Sequence, residues 1–222
     1  MERAQRLVVL DMDSTFIGQE VIDLLAKHAG VAAQVAEITE QSMRGELDFR
    51  ASLAARVALL KGLPDTFLEV VGGEISLSLG ARRMVQVLQD LGHIVAVVSG
   101  GFERVIAPIL QAANVNYFKA NSLEVVDGAL TGQTVGAIID RPAKALFLRE
   151  LAAALQIPLS ETVAVGDGAN DLGMMEIAGL SIAFNAKPVV AQAADVMITD
   201  RDLTGVLRFM GISEEDIERY PL

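Results

Sequence analysis

Leu7-Val8-Val9-Leu10-Asp11-Met12-Asp13-Ser14-Thr15 is the stretch on which the fold turns. Four aliphatic residues in a row, two of them β-branched, read as a strand buried on both faces, the kind found in parallel sheets. Two carboxylates follow at alternate positions, then two hydroxyls. In an open parallel sheet, ligands bind beyond the carboxyl ends of the strands. The nine residues therefore carry both a core strand and a candidate for what happens at its tip.

Outward from that strand, further apolar runs repeat the pattern: Ile94–Val98, Val163–Val165, Leu180–Phe184 and a weaker Val196–Ile198. Helical periodicity fills the gaps. Met84, Val85, Val87, Leu88 and Leu91 mark a stripe over residues 81–91. Ala145, Leu146, Leu148, Leu151, Ala152 and Leu155 mark another over 142–155, with Pro142 suited to its first turn. Strands alternating with helices predict an α/β fold with a doubly wound parallel sheet. Residues 16–76 break the alternation. They hold no convincing strand and read as helices near 18–29, 31–43, 47–61 and 64–72, punctuated by Gly30, Gly45 and Gly62-Leu63-Pro64. The expected organisation is a catalytic core of 1–15 and 77–222 with a helical cap domain over 16–76; a long crossover connection is the plainer alternative. Leu123–Thr131, with Asp127-Gly128 at its centre, reads as a small β-hairpin flap beside the main sheet.

Composition narrows the function classes. Apolar residues make up 52% of the 222 and charged residues 21%, a composition that folds. Aromatics are 5%, so Ala, Val, Leu and Ile must build the core. The net charge of −11 repels nucleic acid and anionic membranes, which excludes both as natural partners. It also repels phosphorylated metabolites, so a site for them needs its own positive charge. With no cysteine and two histidines, disulfides, thiolate sites and His-rich metal sites drop out. Any metal would sit on carboxylate and carbonyl oxygens, the ligands of Mg²⁺. No signal peptide and no membrane-spanning stretch is visible, and the expected location is cytoplasmic.

The strand tips then hold four features in order. Asp11 and Asp13 read either as nucleophile and acid/base, with Asp11 attacking phosphorus and Asp13 protonating the leaving alcohol and then activating water, or as a turn with capping aspartates. The second strand is expected to end in Ser99-Gly100-Gly101, where a hydroxyl and a backbone amide can donate to phosphate oxygens; an ordinary Ser-Gly turn reads the same. Lys144, in the first turn after Pro142, is a surface lysine or a neutraliser of nucleophile and phosphoryl charge. Gly166-Asp167-Gly168-Ala169-Asn170-Asp171 is an oxygen-ligand cluster for Mg²⁺ or a capped loop. Their combination, at tips that one sheet brings together, favours the chemical reading of all four.

This set resembles the haloacid dehalogenase superfamily and, within it, the phosphoserine phosphatase family over almost the whole chain. The broad resemblance rests on Asp11-x-Asp13, Ser99, Lys144 and Gly166-Asp167-x-x-x-Asp171. The narrow one rests on Asp11–Thr15, Gly45-Glu46-Leu47-Asp48-Phe49, Val98–Phe102, Asp127-Gly128-x-Leu130-Thr131-Gly132 and Gly166–Asp171. It implies hydrolysis of O-phospho-L-serine through an aspartyl phosphate, the last step of serine biosynthesis. It further implies Mg²⁺ held by the carboxylates of Asp11 and Asp167 and the carbonyl of Asp13, with Asp171 one layer further out. Ser99, the Gly100 amide, Lys144 and Asn170 would hold the phosphate. Glu20 would face the substrate amino group, Arg56 its carboxylate, and Met43 and Phe49 would close an apolar lid. Phe16 and Leu79 depart from the family pattern without touching this chemistry. Longer family members carry an N-terminal regulatory domain; the chain starts at the first strand, so no such feedback site is expected. Transfer of the phosphoryl group to another hydroxyl acceptor such as homoserine is the rival reading. Oligomeric state is not readable, and a homodimer stays open.

Overall fold

A computed structural model describes residues 4–220. Among them, seven strands form one sheet: β1 (Leu7–Leu10), β2 (Ile94–Phe102), β3 (Tyr117–Val126), β4 (Ala129–Val135), β5 (Thr162–Gly166), β6 (Leu180–Phe184) and β7 (Val196–Ile198). Their spatial order is β4-β3-β2-β1-β5-β6-β7, parallel throughout except for the β3–β4 pair. The quoted strand is thus the centre of the sheet. All four of its residues are buried, as a strand covered on both faces requires.

Helices α1 (Val21–His28), α2 (Ala32–Met43), α3 (Phe49–Ala58) and α4 (Phe67–Glu74) follow β1 directly. Then come α5 (Ala81–Asp90), α6 (Glu103–Ala112), α7 (Arg141–Ala154), α8 (Leu172–Ile177), α9 (Pro188–Ala193), α10 (Thr204–Phe209) and α11 (Glu214–Glu218). Alternating side chains of β1 and β2 feed two separate cores. Val8, Leu10, Val95 and Val97 pack with α5, α6, α10 and α11. Leu7, Val9, Ala96 and Val98 pack with Leu148, Ala152, Met174, Met175 and Val190 of α7, α8 and α9. The period of two along each strand thus winds helices onto both faces.

The first four helices form the inserted cap. The chain leaves and re-enters the core through a short antiparallel contact: Ile17 bridges Leu77, and the Ser78 amide and hydroxyl donate to the carbonyls of Phe16 (3.0 Å) and Thr15 (2.7 Å). Phe16 is fully buried at this hinge and Leu79 is exposed. At its other end the cap rests on the β3–β4 hairpin. The amides of Gly62 and Asp65 donate to the carbonyls of Leu130 (2.8 Å) and Gly128 (2.9 Å), and the Leu130 amide donates to the Leu63 carbonyl (2.9 Å).

β2 ends in Ser99-Gly100-Gly101 as expected and extends one residue further to Phe102, with a register shift between Val98 and Phe102 that re-aims the backbone at the sheet's tip. The hairpin turns at Asp127-Gly128 as its sequence requires, both residues having positive φ (50° and 76°). It is the expected small hairpin beside the parallel strands. The first half of β3 is itself a main-sheet strand, pairing Tyr117, Phe118 and Lys119 with β2, and the hairpin grows out of that edge.

Candidate active site

The carboxyl ends of β1, β2 and β5 meet under the cap and enclose a cleft of about 730 Å³. Asp11, Asp13, Gly100, Asp167 and Asn170 line it from the core; Glu20, Met43, Phe49 and Arg56 line it from the cap. Ser99, Lys144 and Asp171 are fully buried and bonded to the residues of its floor. The structure therefore brings together all twelve residues singled out from the sequence.

The floor is a charge cluster. Lys144 Nζ lies 2.6 Å from Asp11 Oδ1 and 2.8 Å from Asp171 Oδ1. Burial works against the ammonium, but Asp11 and Asp171 outweigh it and hold Lys144 above the usual lysine range. Asp171 is held rigidly, its other oxygen accepting from the amides of Asp167 (3.2 Å) and Gly168 (3.0 Å). Asp167 accepts from the Thr15 hydroxyl (3.1 Å). Asp11 and Asp171 thus share one buried ammonium, with the Asp167 carboxylate close by. Burial first, and the charge of Asp171 second, raise Asp11 well above the carboxylate range, and the same causes raise Asp167 to about 6.

That repulsion is what a cation would relieve. Asp11, Asp167 and Asp171 each bring an oxygen within 4.8 Å of the others. An all-oxygen donor set of this kind fits a hard divalent cation. Asp171 already spends both oxygens on Lys144 and two amides, which leaves Asp11 and Asp167 the better placed to ligate.

Asp13 lives in a different environment. Its Oδ1 accepts from the amide of Val21, the first residue of α1 (2.7 Å), and its Oδ2 accepts from the Ser99 hydroxyl (3.0 Å). Burial, then the charge of Glu20, raises it to about 7, where a carboxyl group can both give and take a proton near neutrality. The chain reverses just after it at Ser14, which sits at φ 56° and donates its hydroxyl to Glu20 (2.7 Å). A left-handed serine costs backbone energy and is held here by its surroundings. Arg56 donates Nε to the Ser52 carbonyl (3.3 Å) on its own helix. Met43 stands 66% exposed at the rim rather than closed over the cleft.

Sequence reasoning passed over several residues of the site. Thr15 stood in the opening motif but drew no role. The Val21 amide has no sequence signal at all. Ser52, Arg141, Lys187 and Val189 also line the cleft; Arg141, beside Pro142 and three residues before Lys144, was the one within reach of the motifs.

Known proteins resemble this chain in sequence and fold. The haloacid dehalogenase-like hydrolase pattern matches residues 8–176. A phosphoserine phosphatase of Streptomyces coelicolor is 52% identical over 216 residues, 97% of this chain and 53% of its own length. The chain therefore spans about half of that relative, and of the similarly long Mycobacterium tuberculosis phosphoserine phosphatase SerB2, at 49% identity. A shorter one, from Streptococcus thermophilus, is 48% identical and is covered over 98% of its length. Among solved structures, a substrate-bound phosphoserine phosphatase complex superposes with a TM-score of 0.89 at 42% identity, over 96% of this chain and all of the other. Haloacid dehalogenase phosphatases generally use a divalent metal, and the aspartate cluster suits one.

Proposed function

Because this chain belongs to the haloacid dehalogenase-like hydrolase family, we propose that it hydrolyses O-phospho-L-serine to L-serine and phosphate, the last step of serine biosynthesis, in the cytoplasm. The observation that carries the reading is the contrast between two carboxylates two residues apart. Asp11 is paired with Lys144 at 2.6 Å, whereas Asp13 accepts from Ser99 and is raised to about 7. Asp11 faces an ammonium that favours its anion against the burial and neighbouring carboxylates that raise it, whereas Asp13 is bonded to a hydroxyl and an amide and can exchange a proton near neutrality.

In this reading Asp11 attacks phosphorus, and the bond from phosphorus to the serine oxygen breaks. Asp13 gives its proton to that oxygen. It then takes one from water as the water attacks the aspartyl phosphate, which frees phosphate and restores both groups. Lys144 favours the anionic form of Asp11 against its burial and offsets charge on the phosphoryl group. Ser99, the Gly100 amide and Asn170 hold the phosphate. From the cap, spanning 16–76 against a core of 1–15 and 77–222, Glu20 takes the ammonium and Arg56 the carboxylate, beneath a lid of Met43 and Phe49. Mg²⁺ fits an all-oxygen donor set; Asp11, Asp167 and the Asp13 carbonyl would hold it, with Asp171 behind them, and it would supply positive charge to the phosphoryl oxygens. The names of relatives of matching length, and a substrate-bound structure among the neighbours, support the substrate.

The test is phosphate release from L-phosphoserine with and without Mg²⁺, beside phosphothreonine and a sugar phosphate. Metal-dependent release from phosphoserine is expected. Asp11→Asn should lower it by about 10³-fold or more with the protein still folded by circular dichroism. Release from the sugar phosphate alone would overturn the substrate, and an active Asp11→Asn the nucleophile.

A further inference from the structure

Ser52 lies on α3 and is 1% exposed. Among the described residues its Oγ is one of two buried side-chain atoms without a hydrogen-bond partner, the other being Nε of Arg83. Buried polar groups in folded proteins are rarely left unpaired, and each that is asks for a reason. A helical serine commonly turns its hydroxyl to the carbonyl four residues back. Here that carbonyl, of Asp48, takes the Ser52 amide at 2.9 Å, and the hydroxyl takes nothing.

Its position supplies the reason. Ser52 lines the cleft one helical turn before Arg56, on the same face of α3. The 3.3 Å bond from Arg56 Nε to the Ser52 carbonyl draws the guanidinium back to the turn that carries the hydroxyl. A carboxylate has about four lone-pair sites, more than one guanidinium uses. Turning Ser52 about χ1 into the cleft breaks no hydrogen bond, because the hydroxyl holds none.

We propose that Ser52 determines substrate specificity by donating its hydroxyl to the substrate carboxylate that Arg56 binds. This rests on the reading above, that the cleft holds an amino-acid phosphate. The free protein keeps an unsatisfied group, and the substrate satisfies it.

Ser52→Ala should be compared with wild type on L-phosphoserine and on phosphoethanolamine, which lacks only the carboxylate, as substrate or as competitive inhibitor. The expected result is a KM for phosphoserine raised about tenfold or more, as for loss of a hydrogen bond to a charged group. Neither kcat on phosphoserine nor the KM or Ki of phosphoethanolamine should follow. The melting temperature of the free protein should hold or rise, since an unpaired hydroxyl has been removed. An unchanged KM for phosphoserine, an equal shift on both compounds, or a lowered melting temperature would each overturn the role. Wild type that cleaves phosphoserine beside an unaffected Ser52→Ala sinks this inference alone; wild type inert toward phosphoserine sinks the proposed function with it.

Discussion

Asp167 shows how the site pays for its charge. Its carboxyl group is raised to about 6 from an ordinary value of 3.8, so between those pH values the folded chain binds more protons there than the unfolded chain does. Stability of the metal-free protein must then fall as pH rises through that window. Asp167→Asn removes the ionisation. In thermal melts with a chelator present, the variant should melt a few degrees above wild type at pH 8 and level with it near pH 4, and added Mg²⁺ should raise wild type far more than the variant. Equal melting at pH 8 would mean that the carboxylates do not strain the free fold. At this scale the sequence was informative wherever a motif ties residue type to a strand tip, as for Asp11, Asp13, Ser99 and Asp167. It was silent where the partner is a main-chain group, as the Val21 amide is for Asp13, or where a side chain matters for what it lacks, as Ser52 does.

Among the elements, α7 does most to assemble the floor, because it delivers Lys144. Its start is set by Asp140, whose Oδ1 accepts from the Ala143 amide (3.1 Å) and whose Oδ2 accepts from Arg50 of the cap (2.7 Å). Burial works against the Asp140 charge, but these bonds outweigh it and hold the group below the usual carboxylate range. Its contribution to stability is therefore full above the ordinary carboxylate pKa and lost as pH falls through the lowered one. Asp140→Ala should cost about 1–2 kcal/mol in denaturant unfolding near neutral pH, with a smaller loss at pH 3, and should lower kcat through a less firmly placed Lys144. A variant as stable as wild type would contradict the capping role. Elements with an unmistakable signal were legible. Pro142 and the apolar stripe marked α7, and continuous aliphatic runs marked β1, β2, β5 and β6. The first half of β3 escaped because Tyr117-Phe118-Lys119-Ala120 belongs to a strand near the sheet's edge, where Tyr117 and Lys119 face out and no apolar run forms.

For the molecule as a whole, function depends on how closely two bodies approach. An added Cβ on Gly100 would come within 3.0 Å of Phe49 Cζ, so the tip of β2 and the cap's third helix nearly touch across the cleft. Gly100→Ala should push Phe49 aside and raise KM several-fold. In a double-mutant cycle on KM, Phe49→Leu should recover part of that loss, giving clear non-additivity; strictly additive effects would show that the approach is not what matters. The block of helices after the first strand was readable as a cap from its length and lack of strands. Its seat on the hairpin was not, since those bonds join Gly62, Leu63 and Asp65 to Gly128 and Leu130 through backbone atoms alone. That manner of attachment has a consequence for the history of such a chain. A joint made of amides and carbonyls is indifferent to most side-chain replacements, so the cap's inner face is free to drift, accepting new groups at positions such as 20, 43, 52 and 56, while the hinge and the seat persist. Descent can retune what the cleft accepts without rebuilding how it is roofed.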